Sequence, residues 1–211
     1  MVQLLLKSGA SVDDTKHSYQ GSLYKTTRIH EAVEVDDFDL VLFLLSAGAE
    51  INSSNCHPSK SYNQIITPLH VAIIFLRGRV RYEMVKDLLA ARSDVKLCHD
   101  GHTTLHSAVG QKQCSWELVK LLLDAGAELN VLNGLDFSPL ALAAELNHLS
   151  LVKNLIHTGA DVNISRSYLT SALGLAISQG HKNVADVLLR NGADINAKHA
   201  DGKSLLLQYC E

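Results

Sequence analysis

The feature that most limits how this chain can fold is a phrase it repeats. Gly-Ala-acidic-aliphatic-Asn occurs at Gly48–Asn52, Gly126–Asn130, Gly159–Asn163 and Gly192–Asn196, with degenerate copies at Gly9–Asp13 and Arg92–Lys96. Successive copies lie 39, 44, 34, 33 and 33 residues apart. A period of that length exceeds any helix or strand pitch and marks one supersecondary unit used many times. Such a unit cannot bury its own apolar face, so it is stable only when stacked on neighbours.

A second phrase interleaves with the first: Thr27-Arg-Ile-His-Glu-Ala32, Thr67-Pro-Leu-His-Val-Ala72, Thr103-Thr-Leu-His-Ser-Ala108, Ser138-Pro-Leu-Ala-Leu-Ala143 and Ser171-Ala-Leu-Gly-Leu-Ala176. Together the two phrases resemble the Thr-Pro-Leu-His-x-Ala and Leu-Leu-x-x-Gly-Ala-Asp-x-Asn signatures of the ankyrin repeat over essentially the whole chain. The resemblance implies an all-α solenoid of stacked helix-turn-helix units joined by β-turn or hairpin fingers. It also implies a single array across residues 1–211, with about five full repeats and a partial repeat at each end.

The residues support the same reading without the family. Thr or Ser starts the first, inner helix of each unit by capping it, and Pro presets its first turn at two of them. Alanine at 32, 72, 108, 143 and 176 lets a neighbouring helix come close. A second, outer helix carries Leu44-Leu45, Leu88-Leu89, Leu121-Leu122, Leu155-Ile156 and Leu188-Leu189 and stops, in most units, at a glycine able to turn left-handed. The chain opens inside an outer helix, Val2 to Lys7, and closes in or after an inner one, Leu205 to Glu211. Because Leu205-Leu206-Leu207 keeps an apolar face, the expectation is a longer array or a covering partner at that end.

Irregularities point to function. The gap from the Asn position to the next Thr or Ser is 8 residues in the C-terminal units, but 14 from Asp13 to Thr27 and 15 from Asn52 to Thr67. The two lengthened fingers carry Tyr19, Tyr24 and Tyr62, and tyrosine gives contact area at small entropic cost. The inner-to-outer turns also vary: an acidic one with Glu34, Asp36, Asp37 and Asp39 precedes a basic one with Arg77, Arg79 and Arg81, then one ending in Trp116. The arginines either form a docking patch for an acidic or phosphorylated segment, or are neutralised internally by the neighbouring carboxylates with Trp116 under their stems. The second reading is preferred, because the compensating charges already stand in the adjacent unit.

Other function classes find little support. Eleven histidines invite a search for catalysis, but His30, His70 and His106 recur at one repeat position, where the resemblance implies a structural hydrogen bond. Repetition along an axis disperses side chains that a catalytic triad would converge. Cys98, His99, His102 and His106, with Cys56 and His57, match no established zinc spacing. No enzyme, cofactor or metal site is therefore expected. A net charge of −3 argues against general nucleic-acid or membrane-surface binding, and the apolar runs are too short to span a bilayer. No secretory leader is recognisable and the four cysteines are widely spaced, which suits the cytosol or nucleus.

The expected function is non-catalytic: a monomeric scaffold that binds a protein or peptide through the concave surface of its fingers and inner helices, in a substrate-recognition or adaptor role. The expected contacts are Tyr19, Tyr24, Tyr62, Phe75, His99, Asp136, Arg166 and Tyr168, with Arg77, Arg79, Arg81 and Trp116 as a secondary patch. The rival readings are a spacer within a longer chain, a metal-dependent switch and a pathogen effector. The resemblance further implies that Asn52, Asn130, Asn163 and Asn196 occupy the position that asparagine hydroxylases modify in the family.

Overall fold

The computed structural model describes residues 17–19, 22–24, 27–56, 65–99 and 101–196; of strand residues 17–19, 22–24, 55, 56 and 65, and of Tyr168, it describes the backbone. Ten helices form five inner–outer pairs in this span: α1 (Arg28–Glu34) with α2 (Phe38–Ser46), α3 (Pro68–Phe75) with α4 (Gly78–Ala90), α5 (Thr104–Val109) with α6 (Trp116–Asp124), α7 (Pro139–Glu145) with α8 (Leu149–His157), and α9 (Ala172–Ser178) with α10 (Lys182–Arg190). The terminal stretches Val2–Lys7 and Leu205–Glu211, expected to be partial repeats, lie outside the described residues.

Each inner helix starts where its Thr or Ser stands. The hydroxyls of Thr67, Thr103, Ser138 and Ser171 accept the backbone N–H of the third residue onward, the bond that satisfies an otherwise orphaned helix donor. The outer helices α2, α6, α8 and α10 are followed by Gly48, Gly126, Gly159 and Gly192 at φ between 87° and 97°. Arg92 takes the same place after α4 at φ 69° in spite of its Cβ, and the closing bonds are the same: Arg92 N donates to the Leu89 carbonyl and Ser93 N to the Leu88 carbonyl.

The chain divides between residues 100 and 101 into two compact units. In the first, α1 packs on α2 and α3, and α3 on α4. In the second, α5 packs on α6 and α7, α7 on α8 and α9, and α10 on α8 and α9. The alanines at 32, 72, 108, 143 and 176 are at most 1% exposed, so a small side chain sits wherever inner helices must approach. One member of each outer-helix aliphatic pair faces inward: Leu44, Leu88, Leu122, Leu155 and Leu188 are fully buried. Burial of each stabilises the stack by about 1.5–3 kcal/mol.

Both lengthened fingers contain antiparallel hairpins. β1 (His17–Tyr19) pairs with β2 (Ser22–Tyr24), placing Tyr19 opposite Ser22 and Tyr24 opposite His17, and β3 (Asn55–Cys56) pairs with β4 (Ile65–Ile66). Two further short strands are β5 (Cys98–His99) and β6 (His102–Thr103).

Candidate partner-binding surface

The fingers are rigid because two side-chain ladders tie one to the next. In the first, aspartate closes three finger turns on themselves: Asp94, Asp161 and Asp194 accept the backbone N–H two residues later, at Lys96, Asn163 and Asn196. Asparagine then reaches the following finger. Asn52 Oδ1 accepts from Asp94 N at 2.8 Å, Asn130 from Asp161 N at 2.9 Å and Asn163 from Asp194 N at 2.9 Å. Asn163 Nδ2 also donates to the Gly192 carbonyl at 2.9 Å. A modifying enzyme acting on these asparagines would therefore meet groups already engaged between fingers.

The second ladder is the histidine of the Thr-x-x-His phrase. His30 Nε2 donates to the Ile66 carbonyl at 2.8 Å and His106 Nε2 to the Phe137 carbonyl at 2.9 Å. A proton on Nε2 leaves Nδ1 as acceptor, and the hydroxyls of Thr27 and Thr103 donate to it at 2.7 and 2.8 Å. At His106 the Thr103 backbone N–H also donates to Nδ1, at 3.4 Å, so this ring is held neutral. Burial pushes His106 from 6.5 down to about 4; the Phe137 carbonyl works in the opposite direction, and neighbouring His102 adds to the lowering.

In the second unit these ladders carry a tip that is unusually well braced. Asn133, 4% exposed, accepts the N–H groups of Leu135 and Phe137 at 2.9 Å each through Oδ1, and its Nδ2 donates to His102 Nδ1 at 3.3 Å. Gly134 N donates to the Gly101 carbonyl at 3.2 Å, and Gly101 stands at φ 73° where an added Cβ would fall 2.7 Å from Gly134 N. The turn thereby lifts Leu135 to 63% exposure beside Asp136, whose left-handed φ of 62° an aspartate tolerates well.

Arg166 of the next finger lies 3.3 Å from Asp136. That finger continues into a single 3₁₀ turn, Tyr168–Thr170, on which Leu169 is 45% exposed. Asp136, Arg166 and Tyr168, singled out from sequence, thus stand on two fingers joined by an ion pair, and each finger adds an exposed leucine that sequence reading passed over. A leucine in a finger reads as core unless the Asn133 bonds that turn it outward are known.

The remaining sequence candidates are dispersed. Phe75 ends α3, half-buried. His99 departs from the expected exposed contact: it is 6% exposed, its ring edge-on to His70 with centroids 5.7 Å apart, because the strand it occupies turns it inward. Tyr19 and Tyr24 are described by backbone alone, and Tyr62, like Cys56's neighbour His57, lies outside the described residues.

The arginine turn divides three ways. Arg77 is exposed, and Arg79 lies 3.6 Å from Glu83 of its own helix. Arg81 is 3% exposed, with Nε donating to the Leu76 carbonyl at 2.7 Å, which removes it from any surface patch. Trp116 is the half-buried first residue of α6. The acidic turn proves to be partly conformational: Asp36 takes φ 58° and Asp37 caps α2 through Leu40 N. Asn147 at φ 58° and Gly180 at φ 72° take the same left-handed conformation in the α7–α8 and α9–α10 turns.

Sequence reading also missed a relay. Where Ala141 and Gly174 replace the bridging histidine, His181 at the start of α10 donates through Nε2 to the Glu145 carbonyl at 2.9 Å. His148 holds the matching place before α8, and burial lowers its pKa. The signal was present in Asn147-His148 and Gly180-His181, each directly before an outer helix.

Among the described residues, no group of three or more His, Cys, Asp or Glu converges on a point where a metal could sit, and no helix is long and apolar enough to cross a membrane. A family model described as ankyrin repeats (3 copies) matches residues 29–133 and 111–199. A protein of fowlpox virus (strain NVSL), named for its ankyrin repeats, is 31% identical over 179 residues, covering 72% of this chain and 35% of that protein. The chain spans about a third of the length of this relative.

Proposed function

The chain belongs to the ankyrin-repeat family, whose members are generally non-catalytic protein-interaction modules, and on that premise we propose that it recognises a partner protein or peptide through its finger tips. The recognising group is the pair of fingers carrying Leu135, Asp136, Arg166 and Leu169, with Tyr168 on the same 3₁₀ turn. The two lengthened fingers with Tyr19, Tyr24 and Tyr62 extend the surface, and the whole chain acts as one monomeric array in the cytosol or nucleus, in a substrate-recognition role.

One observation carries this reading. Two large apolar side chains stand exposed on neighbouring fingers, the first braced by Asn133 and Gly101, and the two fingers meet at the surface in the Asp136–Arg166 pair. An exposed leucine leaves apolar surface in water, whereas a preorganised apolar anchor rimmed by charges is the form that binding hot spots take. The modest net charge of −3 weighs against nucleic acid as the partner.

The test is capture of binding proteins from lysate by the wild-type chain and by a Leu135→Glu/Leu169→Glu variant, with identification by mass spectrometry. Both positions are exposed, so the variant should melt at the same temperature. A protein retained by the wild type and lost by the variant supports the reading. Equal capture moves the site elsewhere, and capture of nothing favours a spacer.

A further inference from the structure

The first unit holds a second apolar surface, at the opposite type of connection, the turn from inner to outer helix. Phe38, Val80 and Met84 floor a groove of about 300 Å³ that opens to solvent between the α1–α2 turn and the N-terminal half of α4. Val80 is 43% exposed there, and Val35, one residue from the rim, is 70% exposed. Val80 and Met84 are four residues apart and form one row of α4. Arg79, Glu83 and Asp87 form the next row, running about 12 Å at the helical rise of 1.5 Å per residue. Asp36 faces them from the turn.

The charge on this rim is unbalanced. Three carboxylates and one guanidinium line the groove, and Arg79 lies 3.6 Å from Glu83, which leaves the excess at Asp36 and Asp87 on the two sides of the apolar floor. An apolar slot between two carboxylates complements a segment that presents an aliphatic or aromatic side chain next to a cation. The same excess repels phosphate, so neither nucleic acid nor an anionic membrane fits it. The volume is at the low end for ligand sites and suits side chains of a peptide more than an enclosed small molecule.

We propose that this groove docks a partner-protein segment in which an apolar residue, seated among Phe38, Val80 and Met84, is flanked by a lysine or arginine held between Asp36 and Asp87. This surface belongs to the first unit and shares no residue with the finger tips of the second, so the two readings stand or fall separately. The conformational duty of Asp36 does not compete with it, since that duty uses the backbone and leaves the carboxylate at the surface.

The experiment pans a phage-displayed library of random 12-residue peptides on the full 211-residue chain and measures the selected peptides, fluorescently labelled, by anisotropy. The proteins compared are the wild type, Val80→Glu, Asp36→Lys/Asp87→Lys and Leu135→Glu. The expected peptides combine Leu, Ile, Phe or Met with Lys or Arg. Val80→Glu and the double charge reversal should each weaken them at least tenfold, and Leu135→Glu should leave them unchanged. A peptide with its cations changed to Glu should regain affinity for the charge-reversed chain, a gain that a misfolded variant cannot give. Peptides without cations, or binding insensitive to Val80 and Asp87, would overturn the proposal. So would concentration-dependent self-association in sedimentation that Val80→Glu abolishes, because the occupant would then be a second copy.

Discussion

Single residues in this chain tend to hold two positions in the structure at once, and His106 shows what that implies. Its ring closes its own helix start through Thr103 and bridges to the Phe137 carbonyl, and it is 1% exposed. Its pKa, about 4 when folded, stands near 6.5 when unfolded. The unfolded chain therefore binds more protons between those values, so the contribution of His106 is complete above pH 6.5 and falls away as the pH drops towards 4. The loss amounts to roughly 3 kcal/mol over the full interval, at about 1.4 kcal/mol per unit. Urea denaturation of wild type and His106→Gln at pH 7, 5.5 and 4.5 checks this. The wild type should lose stability more steeply, and parallel profiles for the two proteins would contradict the assignment.

At the scale of elements, the finger tip depends on backbone contact that only glycine permits. Gly101 combines a left-handed φ of 73° with an approach of 2.7 Å between its would-be Cβ and Gly134 N. Gly101→Ala must push the 133–137 turn away, breaking the Gly134 bond to the Gly101 carbonyl and straining the Asn133 bonds beside it. A loss of about 1–3 kcal/mol is expected from the strained φ and the disrupted hydrogen bond. Partner capture through Leu135 should weaken as well. Thermal melts together with capture from lysate measure both, and full capture by a destabilised variant would show that the tip geometry does not matter for binding. The four glycines after the outer helices differ from Gly101: no atom lies within 4 Å of an added Cβ, so only their positive φ constrains them.

For the molecule as a whole, regularity is unevenly distributed. The units from 126 to 196 keep a 33-residue period with glycine after every outer helix, while the units before them carry two lengthened fingers and Arg92 in a glycine conformation. Stability in a stacked array is close to a sum of unit and interface terms, so strain in one unit shows locally. Amide hydrogen exchange followed by mass spectrometry should show α7 to α10 protected longest and α1 to α4 exchanging sooner. Equal protection along the chain would contradict this.

What the sequence by itself determined was the repeat. The phrase opening on Thr or Ser marks every inner-helix start and the Gly-Ala-x-x-Asn phrase four of the five outer-helix stops, because capping, left-handed turns and close helix approach each demand a particular small or polar residue at a fixed place. The same local logic made Asp136 and Arg166 stand out as finger residues, though not as a pair. Tertiary structure alone decided which side chains face outward. Leu135 and Leu169 look like core residues in the sequence and are exposed, His99 and Arg81 look like surface residues and are buried, and the bridging histidine moves to His181 where the phrase loses it. Orientation in an irregular finger or turn follows from particular bonds, some close in sequence, as Asn133 to Leu135 and Arg81 to the Leu76 carbonyl, and some made thirty or more residues away, as Asn133 to His102 and His181 to the Glu145 carbonyl, and the repeat period encodes none of them.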